Sequence, residues 1–331
     1  MWQVWGAVPP LPSPAPAART QVTAENILVI KLSALGNMVL SLGPFASIRA
    51  HHPRARITLL TTPPYAGWLA RAPWFDRVWA DGRPPWWALP ALARRLRGAG
   101  FTRVYDLQTS GRSSRYLRLF SRQARPEWSG IARGASHPDR RDDRDRQHDI
   151  DRQFAQLAQA GVTERCPPDL GWATADLAPF ALPSRFALLV PGSSAHRPGK
   201  RWPVARYAAL AEALAGRGLA PVVLGSAGEA ALARDIPAAR DLTGRTDFDQ
   251  LAALGRAAAL AVGNDTGPMH LLAAAGCPSL VLFSAASDPA LAAPRGPRVA
   301  ILRRDALADL PLEAVLAAAE ALAASSTVAR P

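Results

Sequence analysis

The sequence predicts an α/β protein made of two Rossmann-like halves. Three observations carry this. Short β-branched runs alternate with helix-like stretches, the pattern of βαβ units around parallel strands. The alternation stops at a proline-rich stretch and then starts again. Polar, glycine-bearing loops follow strands in both halves, at the strand ends where open α/β sheets bind ligands. A chain of 331 residues suits two domains of about 150 residues each.

Residues 1–25 are rich in Pro and Ala and are expected to be a disordered leader. They lack the basic segment and continuous apolar run of a signal peptide. The first domain is expected over 26–178. ILVIK (27–31) reads as a buried strand, followed by a glycine turn and a helix pattern from about Val39 to His51. ITLLT (57–61), RVWA (77–80) and RVYDL (103–107) read as further strands, with a helix pattern around 87–98. The segment 133–148 carries dense mixed charge with no apolar face and predicts a surface loop. Residues 166–184 are proline-rich and aperiodic, a linker.

The second domain is expected over 179–331. FALLV (186–190), PVVLG (221–225), LAVGND (260–265) and SLVLFS (279–284) read as strands. Helix patterns run over 203–216, from near Gly228, and over about 309–323.

Hydrophobic residues make up 49% of the chain and charged residues 20%, the profile of a folded protein. The net charge of +13 favours an anionic partner. It does not choose one, because Lys31 and Lys200 are the only lysines and the arginine excess fits codon bias. Cys166 and Cys277 lie in no metal or redox spacing and read as reduced cytosolic thiols. No stretch reaches the roughly 18 apolar residues of a membrane span. Trp68, Trp74, Trp79 and Trp128 are expected in packing. Trp86 and Trp87, in the Pro-Pro-Trp-Trp of 84–87, are expected at a membrane interface.

Three motifs of the second half sit at strand ends. Gly192, Ser193 and Ser194 are followed by Arg197, Lys200 and Arg201: small residues admit a phosphate and the cations neutralise it. Gly225, Ser226 and Glu229 follow the next strand, where a carboxylate can accept from a ribose or an adenine amine, or simply favour a helix start. In VGNDTGPMHLLAAAGCPSLVLFS (262–284), Asp265 can cap a helix. The amides of Thr266 and Gly267 then point from the helix mouth toward an anion, Pro268 suits the first turn, and His270 lies one turn on. No paired-carboxylate or His spacing suggests a metal. In the first half, Asp106 ends a strand, and Arg112, Arg115, Arg118 and Arg122 recur at helical spacing. They form either an acceptor-reading stripe or a solvated face.

These motifs resemble glycosyltransferase family 9, the ADP-heptose:lipopolysaccharide heptosyltransferases, over roughly residues 26–310. The resemblance rests on GNDTGPMHLLAAAGCPSLVLFS, PGSSAHRPGKRWP and ILVIKLSALGNMVLSLGP, and the layout is similar to the alphaproteobacterial branch. It implies a GT-B fold: two Rossmann-like parallel-sheet domains facing a central cleft, nucleotide-sugar on the C-terminal side and acceptor on the N-terminal side. It implies inverting transfer of a heptose or related sugar, without a metal or cofactor, from an ADP-sugar to an anionic lipid-linked cell-envelope glycan. The enzyme would sit in the cytoplasm, peripheral at the inner face of the inner membrane. Ser193, Ser194 and Lys200 match the phosphate loop, Glu229 a nucleoside contact, and Asp265, Thr266, Gly267 and His270 the donor motif.

One position departs from the pattern. The family carries an acid, in Leu-Gly-Asp, where this chain has Asn37. That acid is the general base implied for the acceptor hydroxyl, and an amide cannot take the proton. Three readings follow: Asp106 substitutes, the enzyme runs slowly on positioning and leaving-group stabilisation, or the protein binds without transferring. Retained activity is the expectation. A different sugar and acceptor is the alternative within the enzyme class. A nucleic-acid-binding role rests on charge alone, and an NAD-dependent oxidoreductase lacks the glycine fingerprint.

Overall fold

The computed structural model describes residues 25–81, 85–193 and 197–324. The expected leader, apart from Glu25, lies outside the described residues, as do Pro84 and Ser194. The N-terminal half contains strands β1 (Asn26–Ile30), β2 (Arg56–Thr61), β3 (Arg77–Ala80), β4 (Arg103–Asp106), β5 (Glu127–Gly130) and β6 (His137–Pro138). Its helices are α1 (Leu35–Val39), α2 (Leu42–His51), α3 (Pro63–Leu69), α4 (Leu89–Gly98), α5 (Gly111–Arg115) and α6 (Asp149–Gln159). The C-terminal half contains β7 (Phe186–Val190), β8 (Ala220–Val223), β9 (Arg240–Asp241), β10 (Leu260–Asn264), β11 (Ser279–Phe283) and β12 (Val299–Arg303). Its helices are α7 (Val204–Ala215), α8 (Ala230–Arg234), α9 (Phe248–Ala257), α10 (Gly267–Ala274), α11 (Pro289–Ala292) and α12 (Leu312–Ala324).

Each half forms one six-stranded sheet, in the orders β3-β2-β1-β4-β5-β6 and β12-β11-β10-β7-β8-β9. All strand pairs are parallel. Both are the doubly wound topology, which reverses direction between β1 and β4 and between β7 and β10. At those points the loops splay apart and open a crevice. Ile30 pairs with Asp106 at the first, and Val190 pairs with Gly263 at the second.

Burial explains why the central strands read as unbroken apolar runs. Helices cover both sheet faces, so successive side chains go into different cores. In β1, Ile27 and Val29 join one core while Leu28 and Ile30 join another. In β7, Leu188 and Val190 join the first core again, whereas Ala187 and Leu189 join a third. The first core runs through both halves. Trp68 lies 5.1 Å from Phe248 and 5.4 Å from Trp172, ring to ring, and Tyr65 stacks on Phe248. Arg71 pairs with Asp249, and His148 Nε2 lies 2.9 Å from the Ala293 carbonyl. Trp172 thus ties the proline-rich linker to the junction, and Arg256 of α9 donates to the Leu170 carbonyl at its start.

The structure corrects the sequence reading in places. The charged segment 133–148 is largely irregular, yet Asp139 is buried, held by Arg141 and Arg144. Dense ion pairing replaces the apolar face that the segment lacks. The turn expected around Asn37 is the short helix α1. Helices α3, α6 and α9 and strands β5, β6, β9 and β12 were not anticipated.

Candidate active site

Three loops of the C-terminal half meet at the carboxyl ends of β7, β8 and β10. Asn264, the last residue of β10, is fully buried. Its Nδ2 donates to the Pro191 carbonyl at 2.7 Å and to the Gly192 carbonyl at 3.3 Å. Its Oδ1 accepts from the Trp202 amide and the Tyr207 hydroxyl, each at 3.1 Å. One amide side chain therefore locks the β7 loop to the β10 loop. Glu229 closes the third side. Its carboxylate accepts from the Ser226 amide and hydroxyl at 2.8 Å each, the reciprocal cap of a helix start. The same carboxylate lies so close to Gly192 that a Cβ there would fall 1.9 Å from Oε1. Glycine at 192 leaves the room that the Glu229 carboxylate occupies in this rotamer.

Asp265 does not cap α10. The capping position is Thr266, whose side chain makes no capping hydrogen bond. Asp265 is instead buried in an ion pair with Lys200 and accepts from Ser287 Oγ at 2.7 Å. His270 Nε2 stands 3.9 Å from its other oxygen. Burial pushes the Asp265 carboxyl up, but the facing His270 ring, Lys200 and Ser287 outweigh burial and hold it at about 2. Among the described residues, Asp265 is the one hydrogen-bond acceptor of the Lys200 ammonium. An ammonium has three N–H donors, so two are unengaged among the described residues. The first amides of α10 have no intrahelical acceptors, as at every helix start, and no acidic side chain occupies its first turn. A cation and a helix mouth so placed are the features that can receive an anion.

Ser193 is buried and engaged: its hydroxyl accepts from Arg201 Nε at 3.1 Å, and its carbonyl accepts from Arg201 Nη2 at 3.1 Å. Arg197 is exposed. Gly225 lies under Glu229 and Thr243, with 3.2 Å between a notional Cβ and either side chain. Sequence reasoning missed Asn264, Ser287 and the contribution of α1. Asn264 sits inside the quoted motif, but nothing in a sequence shows which carbonyls a buried amide will reach.

Helix α1 packs directly on α10. A Cβ on Gly36 would lie 2.8 Å from the His270 ring, and one on Gly267 would lie 2.8 Å from Leu35 Cβ. Asn37, the next residue, is exposed beside this contact, and its carbonyl accepts from Ser41 Oγ at 2.7 Å. The N-terminal half thus brings Asn37 close to α10.

Asp106 is placed differently from the expectation of an available base. Its side chain has no exposed surface. Thr109 N–H donates to Oδ1 at 3.1 Å, and Oδ2 is buried without a partner among the described residues. Burial pushes this carboxyl up to about 7, against the pull of the polar groups of the loop after β4, the Thr109 amide among them. It is enclosed beneath the loop that follows β4, closed off from solvent. Lys31, also buried, donates to the Leu107 carbonyl at 3.1 Å and lies 3.9 Å from Asp149.

The four arginines do not form a single helical stripe. α5 ends at Arg115, a 3₁₀ turn covers Tyr116–Leu119, and Arg122 lies beyond it. Arg112 is half-buried, 2.9 Å from the Tyr116 hydroxyl and 3.9 Å from Asp81. Arg115, Arg118 and Arg122 are exposed. Among the described residues no cluster of three His, Cys, Asp or Glu side chains is arranged to hold a metal ion, and no helix is long and apolar enough to cross a membrane.

The profile of glycosyltransferase family 9 (heptosyltransferase) matches residues 89–313. Lipopolysaccharide heptosyltransferase 2 of Salmonella typhimurium is 27% identical over 307 residues, covering 84% of this chain and 88% of the relative. The solved ADP-heptose lipopolysaccharide heptosyltransferase II of Escherichia coli superposes with a TM-score of 0.75 at 23% identity, covering 91% of this chain and 99% of that one. A family 9 glycosyltransferase from Veillonella parvula superposes with a TM-score of 0.79 at 22% identity, covering 91% and 98%. Both likenesses concern the fold, two facing Rossmann-like domains of the GT-B type. The chain belongs to glycosyltransferase family 9, the heptosyltransferases, and is a glycosyltransferase.

Proposed function

We propose that the protein transfers a heptose from an ADP-sugar to a lipopolysaccharide-core acceptor, with inversion and without a metal ion. The single observation that carries the donor assignment is the buried Lys200–Asp265 pair at the mouth of α10. Asp265, held anionic, fixes Lys200 in place, and the two spare ammonium donors and the Thr266 and Gly267 amides receive the diphosphate. Glu229, between Gly192 and Gly225, is placed to accept from the nucleoside. Ser193 and Arg201 shape the same loop, and His270 supports Asp265. The relatives' names supply the sugar and the acceptor class.

In the reaction the acceptor hydroxyl oxygen attacks the anomeric carbon from the face opposite the diphosphate. The bond from that carbon to the phosphate oxygen breaks, and ADP leaves with its new negative charge toward Lys200 and the α10 amides. Stabilising that charge is where this site acts most strongly. Asn37 orients the hydroxyl by hydrogen bonding, and the proton passes to solvent. Losing a base costs about 10²–10⁴ in rate, so the enzyme is slow. The exposed Arg115, Arg118 and Arg122, with Arg112 behind them, meet the anionic groups of the acceptor. The lipid-linked acceptor brings the reaction to the inner face of the inner membrane.

The alternative, a nucleotide-sugar-binding protein without transfer, is favoured by Asn37 alone. Calorimetric titration with ADP-heptose in the presence of a chelator tests the donor assignment. Saturable one-site binding is expected. Binding of UDP- or GDP-sugars in its place would overturn the choice of donor.

A further inference from the structure

Apart from the arginines assigned to the acceptor, the first half carries a second exposed basic feature, on α4 and the turn that precedes it. From residue 82 to 126 there are ten arginines and one acid, Asp106, and that acid has no exposed surface. Arg103 pairs with Glu127 and Arg112 with Asp81, whereas α4 carries the exposed Arg94, Arg95 and Arg97 and no acid of its own. Beside it lie the two most exposed large apolar side chains among the described residues, Trp86 at 78% and Trp87 at 67%. Their rings meet edge to face at 5.8 Å. They occupy a 3₁₀ turn that leads into α4. An open groove of about 860 Å³ runs along α4, lined by Trp86, Pro90, Arg94, Arg97 and Leu119. Arg97 is fixed there by donating to the Leu119 carbonyl.

Two neighbouring indoles left in water are costly unless something covers them. Indole rings settle at the boundary between lipid headgroups and acyl chains, where the apolar body is buried and the N–H stays wet. Arginines beside them add attraction to anionic lipids. Charge complementarity therefore selects an anionic bilayer over a neutral one.

Topology gives the contact a direction. Trp86 and Trp87 follow the carboxyl end of β3, the edge strand. Asn37 follows β1, at the same edge of the same sheet. A surface seated on Trp86 and Trp87 thus faces the side of the N-terminal sheet where the acceptor enters. We propose that the Trp86–Trp87 turn and the basic face of α4 dock the protein on an anionic phospholipid surface. The relevance to transfer rests on the acceptor assignment above, but the docking itself does not.

The test is co-sedimentation of the full chain with vesicles of phosphatidylcholine alone and of equimolar phosphatidylcholine and phosphatidylglycerol. Binding to the anionic vesicles only is expected. W86A/W87A should lower the partition coefficient about tenfold or more, given the apolar area each indole buries. Arg94→Gln should lower it severalfold, since a basic residue near such a surface is worth about 1 kcal/mol, or about fivefold. All three side chains are exposed, so ADP affinity and thermal midpoint should stay at wild-type values, which separates loss of docking from failure of the donor assignment. Equal binding to neutral vesicles, no binding to either, or binding that neither variant changes would overturn the proposal. A fall in solution mass for W86A/W87A without vesicle binding would also overturn it, in favour of contact between copies of the chain.

Discussion

Replacing Lys200 by methionine separates the two tasks of the buried pair. Met keeps most of the side-chain volume and removes the charge, leaving Asp265 buried with Ser287 and His270 as neighbours. The Asp265 carboxyl lies at about 2 against 3.8 in an unfolded chain. That difference corresponds to about 2 kcal/mol of stability at neutral pH, given 1.36 kcal/mol per pKa unit. The sign follows from a depressed carboxyl: the contribution is complete above about 3.8 and is lost as pH falls through about 2. Lys200→Met should remove most of it. Breaking a buried pair costs up to about 3–5 kcal/mol because it strands a charge, whereas removing both charges is close to neutral. The double variant Lys200→Met with Asp265→Asn should therefore regain most of the stability. Donor affinity should behave differently. A charge-assisted hydrogen bond contributes about 1.5–3 kcal/mol, so both variants should bind ADP about 10- to 100-fold more weakly. Denaturant unfolding and calorimetric titration of the four proteins in the cycle give both quantities. Wild-type ADP affinity in Lys200→Met would refute the phosphate role. A double variant as unstable as the sum of the single ones would refute the stranded charge.

Asn37→Asp should raise the transfer rate by about 10²–10⁴ and leave ADP affinity within a factor of two of wild type, judged by steady-state kinetics and calorimetry. Asp106→Asn should change how stability depends on pH. A carboxyl raised from 3.8 to about 7 gives stability that is complete below about 3.8 and lost as pH rises through about 7, at most about 4 kcal/mol over that window. The variant should lack this slope in denaturant titrations between pH 4 and pH 8, and an unchanged slope would show that Asp106 does not titrate there. Gly36→Ala puts a Cβ 2.8 Å from the His270 ring. Overpacking of this kind costs about 1–3 kcal/mol, and the variant should lower the thermal midpoint and weaken ADP binding together.

What the sequence showed and what it hid have physical causes. The central strands were readable because burial on both faces leaves an uninterrupted apolar run, as in FALLV and SLVLFS. The edge strands were not: β6 and β9 are two residues each, and β12 has no fully buried residue. Helix α9 carried an unused signal, since Asp247 and Gln250 form a reciprocal cap of the kind a sequence displays. The donor loops were visible as small residues and cations after strands. Their interlocking was not, because it depends on Asn264 and Glu229 reaching across chain segments distant in sequence. Asp265 was legible as an important acid, but its partner was not, since an acid before a helix looks like a cap whether or not a lysine 65 positions away claims it. The arginine spacing of 112–122 suggested one stripe because spacing does not show where a helix stops.

The most direct test of the central claim is transfer itself, with chelator present, from ADP-heptose to lipopolysaccharide lacking its outer core. Mass spectrometry of the lipid product follows the sugar, and nuclear magnetic resonance follows its anomeric centre. The account predicts slow addition of one heptose with inverted configuration, accelerated in Asn37→Asp and reduced in Lys200→Met. A protein that binds ADP-heptose tightly yet leaves the acceptor unchanged, in the wild type and in Asn37→Asp alike, would contradict it.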